Sequence, residues 1–370
     1  MIVGINALYI KWGVNAGTET YFTKIVKPWY DNNSCKEQFI MFCNDTPLWW
    51  KGEKAHFKVK LFPKAKSLKK RVFIEQIIFP LTLTKEIDVL FNPGYVGSLF
   101  LSVPQVTTIH DSFAWVYPKE IGFARSVYWK TLIPLTAKKA KKLIAVSKNT
   151  ANDVEKFCGI VKDKIEVIYE GGSHFNTDSL SSKLLERYQL KPKSFFHCIG
   201  FFKDIKNPMR ILEGFKNFKK NNPTSKTKLV LTGHVGGQRA NEILEYAQSL
   251  EDVIYVGRID DDELVELYKN SLGLIFPSLY EGFGIPILEA QGFGCPVVTS
   301  NISAMPEIAG DGAIIVDPLS DKDIEHAMFR LSNEDMSTLR ENGYENLKRF
   351  SWENASQETL KVLTKVGEKR

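Results

Sequence analysis

Two carboxylates eight positions apart, Glu281 and Glu289, stand in the most chemically suggestive stretch of this sequence, FPSLYEGFGIPILEAQGFGCPVV at 276–298. Carboxylates cooperate in glycosidic acid/base chemistry when roughly 5–9.5 Å apart. If most of the interval is helical, these two are about 12 Å apart along the axis at ~1.5 Å per residue, which favours separate binding roles over one shared bond-cleavage step. Taken without their surroundings, Glu281 could equally cap a helix and Glu289 stand in solvent. The apolar run Leu272, Leu274, Ile275 and Phe276 reads as a buried strand closed by Pro277, and Glu281-Gly282-Phe283-Gly284 as a turn where backbone can approach a ligand closely. From Ile285 the spacing turns helical, through Leu288 and Ala290. Unpaired N–H groups and the dipole at such a helix start suit a phosphate.

Further candidates lie outside this stretch. Lys206-Asn207 precede a helical segment, where a mobile ammonium could neutralise a leaving pyrophosphate, or the two could form a plain surface pair. His110-Asp111 follow the strand-like QVTTI at 105–109. Open parallel sheets place ligands beyond the carboxyl ends of their strands. Equally, Asp111 could cap a turn and His110 could be packed. Gly17 precedes a helical stretch, Tyr21 to Tyr30, and offers a second phosphate turn or only a bend. Asp260 to Glu263 contain a D-x-D pattern, but their place just before LVELYKNS makes helix capping the better account.

The elements that must position these residues alternate strand and helix in two successive halves. Strand-like runs occur at 2–7, 39–43, 88–92, 105–109, 143–147 and 165–169, then at 195–200, 228–233, 253–257, 272–276, 297–298 and 313–317. The expected fold class is α/β, with two Rossmann-like parallel-sheet domains facing a cleft. The polar segment 173–193 reads as their connection, giving domains of 1–175 and 176–352.

The string EGFGIPILEA followed by GFGCPVV closely resembles the E-x7-E motif of the family 4 (group 1) glycosyltransferases of GT-B fold. The resemblance extends over most of the chain. It implies that Glu289 holds the nucleotide ribose, that Glu281 lies by the donor sugar, and that the amides of Phe283, Gly284 and Ile285 contact sugar and diphosphate. Ala16-Gly17-Thr18-Glu19 is similar to the family's GGTE-like loop, and His110-Asp111 to its HD pair, whose His lies near the reacting carbon. Lys206 then binds the diphosphate. The Arg that usually accompanies it is absent from Phe201 and Ile205, leaving Lys203 as a substitute. Arg258 and Ile259 match the loop that meets the base, and the closing helix, about 353–370, crosses back onto the first domain. The implied activity is a retaining hexosyltransferase that needs no cofactor and no metal. The nearest resemblance is to bacterial O-antigen mannosyltransferases, hence GDP-mannose as donor and a lipid-linked glycan as acceptor, with UDP- and dTDP-sugars as alternatives. A phosphorolytic or hydrolytic enzyme and a non-catalytic nucleotide-sugar-binding subunit are the rival classes.

Composition sets the remaining bounds. With 44% hydrophobic and 25% charged residues, the 370-residue chain is of ordinary globular type. It has no apolar run of transmembrane length and begins at once with a core-like strand, so neither a membrane span nor a signal peptide is expected. Five cysteines without paired spacing point to a cytoplasmic protein without disulfides or structural zinc. Residues 1–180 carry 25 Lys+Arg against 16 Asp+Glu, whereas the remainder carries 24 against 27. Seven of those cations fall in Lys58–Arg71 with no acidic residue between them, and Lys138, Lys139, Lys141 and Lys142 form a second cluster. Such runs suit a solvated loop or an anionic membrane surface, here the inner face of the cytoplasmic membrane. Nucleic acid is disfavoured, because no stacking platform accompanies them. The aromatic stretch 113–132 could be core, acceptor wall or membrane-facing lip.

Overall fold

Short runs of Val, Ile, Leu and Phe alternating with amphipathic segments favour parallel strands buried on both faces by crossover helices. In the computed structural model, which describes residues 1–13, 16–172, 175, 183–236 and 239–368, these runs build two sheets of parallel neighbours. They belong to two compact units, Met1–Glu170 with Ser351–Arg370, and Gly171–Phe350.

The first unit contains Ile2–Asn6 (β1), Gln38–Cys43 (β2), Phe57–Leu61 (β3), Val89–Asn92 (β4), Gln105–Ile109 (β5), Lys142–Ala145 (β6) and Ile165–Val167 (β7), in the order β3-β2-β1-β4-β5-β6-β7. Winding reverses between β1 and β4. The second unit contains Phe195–Cys198 (β8), Lys228–Thr232 (β9), Val253–Gly257 (β10), Gly273–Phe276 (β11), Val297–Ser300 (β12) and Ala313–Val316 (β13), in the order β10-β9-β8-β11-β12-β13. Here the reversal falls between β8 and β11. The carboxyl ends at such reversals open into the crevices where ligands bind in open α/β sheets.

Three sequence expectations are corrected. The basic stretch from Lys58 is not a loop: Lys58 and Lys60 lie on the edge strand β3, and the chain continues through a 3-10 turn, Pro63–Lys66, into the helix Leu68–Phe73. Helix starts at Ala16 and runs to Asp31, so Gly17 lies inside its first turn rather than in a loop before it. The connection expected to reach 193 already packs on the second sheet by Leu184, since Leu184, Leu185 and Leu190 are buried with Phe195, Val230 and Leu267. Residues 173–174 and 176–182 of that connection lie outside the described residues.

Strand alternation and register set Ile40, Phe42, Leu90, Ile109 and Leu143 on one face of the first sheet. The helical run 68–82 packs on that face through Ile74 and Phe79, and the helix Phe123–Lys139 through Ile133 and Ala137. On the opposite face, Trp29 of the first helix stacks on Phe39, and the final helix, Trp352–Gly367, lies beside it. Ser356 there donates to the Ile25 carbonyl at 2.7 Å, and Gly367 abuts Met1 and Val89 so that a Cβ there would have to displace the Met1 side chain.

Candidate functional site

In the second unit, the two segments leaving the reversal carry the most concentrated chemistry. After β8 the chain makes a 3-10 turn, Asp204–Lys206, and Asn207 takes a left-handed conformation (φ 62°) before the helix Pro208–Asn221. Asn207 is not half of a surface pair. Its side chain is buried and donates to the carbonyls of Pro277 at 3.2 Å and Pro318 at 2.6 Å. A further bond, from the Leu279 amide to the Ile205 carbonyl at 2.7 Å, fastens this turn to the segment after β11. Lys206 is thereby aimed at Glu281: its Nζ lies 2.5 Å from Oε1, each side chain only 17% exposed, and 4.4 Å from the centre of the Phe276 ring.

Glu281 does not cap the helix that follows. Its amide meets the Ser303 hydroxyl at 3.2 Å, and that hydroxyl donates to the Glu281 carbonyl at 2.7 Å. The N-cap of the helix Ile285–Gly292 is Gly284, at φ 104° and ψ 48°, which has no side chain of its own to cap the helix start. A residue other than glycine would be strained there, and its Cβ would press on Ile287 at 3.3 Å. The turn thus presents backbone amides and a dipole end beside a cation, a combination suited to a diphosphate.

Glu289 is no solvated helix residue either. It is buried, and the hydroxyl of Tyr268, from the helix Asp261–Asn270, donates to its Oε2 at 3.0 Å. Burial pushes the Glu289 pKa up to about 7, against the lowering effect of the Tyr268 bond and with a smaller rise from Asp261. Gly284 interrupts the interval between the two glutamates, so helical spacing does not set their separation. Each has a partner of its own: Lys206 for Glu281, Tyr268 for Glu289. Tyr268 is in turn stacked on Phe293 and meets His197 edge-on. The His197 imidazole, buried and held by burial down at about 3, bonds Thr232 at 3.1 Å.

The other donor-side candidates are more scattered. Phe201 and Ile205 are both buried, so neither position projects toward solvent. Lys203 is exposed at the start of the 3-10 turn, and Arg239 brings a guanidinium to 3.9 Å from Asp204. Arg258 and Ile259 follow β10 at the far edge of the sheet, where residues 258–263 line an open groove. Asp260 there is a helix cap: it accepts from the Glu263 amide at 2.9 Å, while Glu263 accepts from the Asp260 amide at 3.1 Å. Replacing Asp260 with alanine should therefore lower stability in urea unfolding by about 1 kcal/mol. Added divalent metal should not restore it.

In the first unit His110 follows β5 and is buried. Its Nε2 meets the Pro93 carbonyl at 2.8 Å, its Nδ1 lies 3.5 Å from Glu170, and the Tyr21 ring packs edge-on at 4.6 Å. Burial alone would lower the His110 pKa, but Glu170, with help from the Pro93 carbonyl and Asp111, raises it. The Glu170 carboxylate and the Pro93 carbonyl thus favour the protonated ring over what burial alone would allow. Asp111 accepts from the Phe113 amide at 2.9 Å and from the Tyr95 hydroxyl at 2.5 Å. Gly17 has open space around it, and Glu19 in the same turn accepts from the Gly13 amide at 2.9 Å. Val14 and Asn15 of that loop lie outside the described residues.

Motif reading did not find Tyr268, Glu170 or Ser303. The available signals were a tyrosine at a core position of an amphipathic helix, which needs a partner for its hydroxyl, and a carboxylate at the exit of an apolar strand.

Comparison with known proteins gives two family matches, Glycosyl transferases group 1 over residues 184–350 and Glycosyltransferase Family 4 over residues 54–171. The O-antigen chain mannosyltransferase B of Escherichia coli is 29% identical over 265 residues, covering 69% of this chain and 68% of that protein. The O-antigen chain mannosyltransferase RfbU of Salmonella typhimurium is 27% identical over 254 residues, covering 68% and 67%. Anabaena HepE, solved in complex with UDP-glucose, superposes with a TM-score of 0.71 at 17% identity over 99% of this chain and 100% of that one. The two parallel sheets are those of the GT-B fold, and the chain belongs to the family 4 (group 1) glycosyltransferases.

Proposed function

We propose that this glycosyltransferase moves mannose from GDP-mannose to a hydroxyl of a lipid-linked glycan in bacterial surface polysaccharide synthesis, with retention at the anomeric carbon. The observation that carries this reading is the crevice at β8 and β11, where Lys206 and the helix start at Gly284 are joined through Glu281. In this reading Lys206 and the amides of Phe283, Gly284 and Ile285 stabilise the departing diphosphate, with Lys203 as a second cation. Glu289 holds the ribose, and Arg258 and Ile259 border the base. Glu281 and His110 fix the sugar, and the Gly17 turn supports it. Attack comes from the face the diphosphate leaves. Positioned charge of this kind needs no metal. The relatives named as O-antigen mannosyltransferases support mannose as the transferred sugar.

The acceptor is carried on a lipid, and the protein works at the inner face of the cytoplasmic membrane. No helix among the described residues is long and apolar enough to cross a membrane, so the reading is one of peripheral attachment. The lysines of 58–70 support docking on anionic headgroups, at about 1 kcal/mol per cation near the surface.

A UDP-sugar donor is the second reading, favoured by the likeness to HepE, which was solved with UDP-glucose. Nucleotide release from GDP-, UDP- and dTDP-sugars, each with lipid-linked acceptors, separates the two. GDP release from GDP-mannose, unchanged by a chelator, is the expected result. Release of UDP alone would transfer the assignment to the second reading, and release from no donor would remove the catalytic one.

A further inference from the structure

The helical run 68–82 is built from Leu68–Phe73, a π turn at Ile74–Ile78 and Phe79–Thr82. Pro80 has no N–H to give the carbonyl four residues back, and the wider turn accommodates that loss. Ile74, Glu75 and Phe79 face the sheet. Phe73, Ile77 and Leu81, four residues apart, are 56%, 42% and 77% exposed. The neighbouring helix Phe123–Lys139 repeats the arrangement, with Phe123 86% and Val127 48% exposed. Both helices cover the same sheet face, and the Arg71 guanidinium reaches the Tyr128 hydroxyl at 3.5 Å between them. The loop bearing exposed Phe100 is tied to the same run, since Gln76 donates to the Gly97 carbonyl at 3.0 Å and accepts from the Leu99 amide at 2.8 Å. Apolar side chains on three linked segments thus point away from one sheet face.

Their surroundings are cationic. Residues 58–85 hold eight Lys+Arg and one acidic residue, the buried Glu75, and residues 119–142 hold seven and one. Two copies meeting through this face would set one cationic field against another. An anionic lipid leaflet complements both the charge and the apolar surface.

We propose that Phe73, Ile77, Leu81, Phe100, Phe123 and Val127 form a platform that inserts among the acyl chains of an anionic leaflet, with the flanking lysines on its headgroups. This deepens the reading of a lipid-linked acceptor and rests on it, replacing contact by charge alone with insertion. The test is flotation of the full chain with vesicles of phosphatidylcholine alone or mixed with phosphatidylglycerol. Wild type should float with the mixed vesicles only. A Phe73→Ser, Leu81→Ser, Phe123→Ser variant, which keeps every lysine, should bind them at least about 10-fold more weakly. Its unfolding midpoint and its nucleotide release in vesicle-free solution should match wild type. Equal flotation of variant and wild type would overturn insertion and leave docking by charge. Absence of wild-type flotation would overturn the membrane reading as well, while donor turnover in solution would still test sugar transfer separately. A concentration-dependent dimer abolished by the three substitutions would assign the face to a second copy and overturn the proposal.

Discussion

Lys206→Ala is expected to slow nucleotide release by about 10²- to 10³-fold, the loss typical of removing one preorganised group from a developing negative charge. Among the described residues the ammonium pairs with Glu281 and lies over the face of Phe276 in a largely buried crevice, where a charge acts more strongly than in water. Its loss leaves the Glu281 carboxylate without its partner, close to where a departing diphosphate would gather charge. Repulsion then adds to lost attraction. Lys206→Ala with Glu281→Gln should accordingly recover donor affinity relative to Lys206→Ala alone while turnover stays low, a coupling that a double-mutant cycle reads directly. Lys206→Arg should rescue poorly, because a planar fork replaces a compact ammonium in a site shaped by Phe276 and the Gly200 turn. If Lys206→Ala turns over like wild type, the diphosphate does not lie at the β8 and β11 crevice.

Nucleotide affinity is expected to rise with pH across neutrality and to lose that dependence in Glu289→Gln. Ribose hydroxyls donate hydrogen bonds, so they favour the ionised carboxylate, whereas burial favours the protonated one and pushes the pKa up to about 7. Binding of GDP, followed by calorimetry, should tighten several-fold from pH 6 to pH 8, with Glu289→Gln weaker at the upper end by about 10-fold or more. Without nucleotide the sign reverses. A carboxyl whose pKa is raised on folding contributes stability that is complete below its unfolded value of about 4.5 and is lost as pH rises through about 7. The loss amounts to roughly 3 kcal/mol over that interval, and urea midpoints of Glu289→Gln should not show it. A pH-independent affinity in the native protein would place the ribose elsewhere.

Much of the fold was legible because parallel strands buried on both faces write themselves as unbroken apolar runs punctuated by Gly, Pro and Asn. The exception is instructive. Phe57–Leu61 reads FKVKL, and its lysines look like those of a loop because an edge strand carries cations that discourage pairing with another chain. The site was legible as motifs and illegible as contacts. Lys206 and Glu281 are 75 positions apart, and only the adjacency of β8 and β11 makes them an ion pair. Tyr268 lies 21 positions before Glu289, on a helix whose apolar face gives no hint of which buried group its hydroxyl will meet. Glu170 stands beyond the exit of the last strand of the first sheet, two strands from the one that His110 follows, so its influence on the imidazole is a matter of sheet order.

The first sheet is sealed by a helix encoded at 352–367, whereas the second is made from one uninterrupted stretch. A ribosome therefore delivers everything the later-made half needs before it delivers the last piece of the earlier-made half. During synthesis the portion translated second can finish folding first, while Trp29 and Val89 wait, uncovered, for Ser356 and Gly367 to emerge.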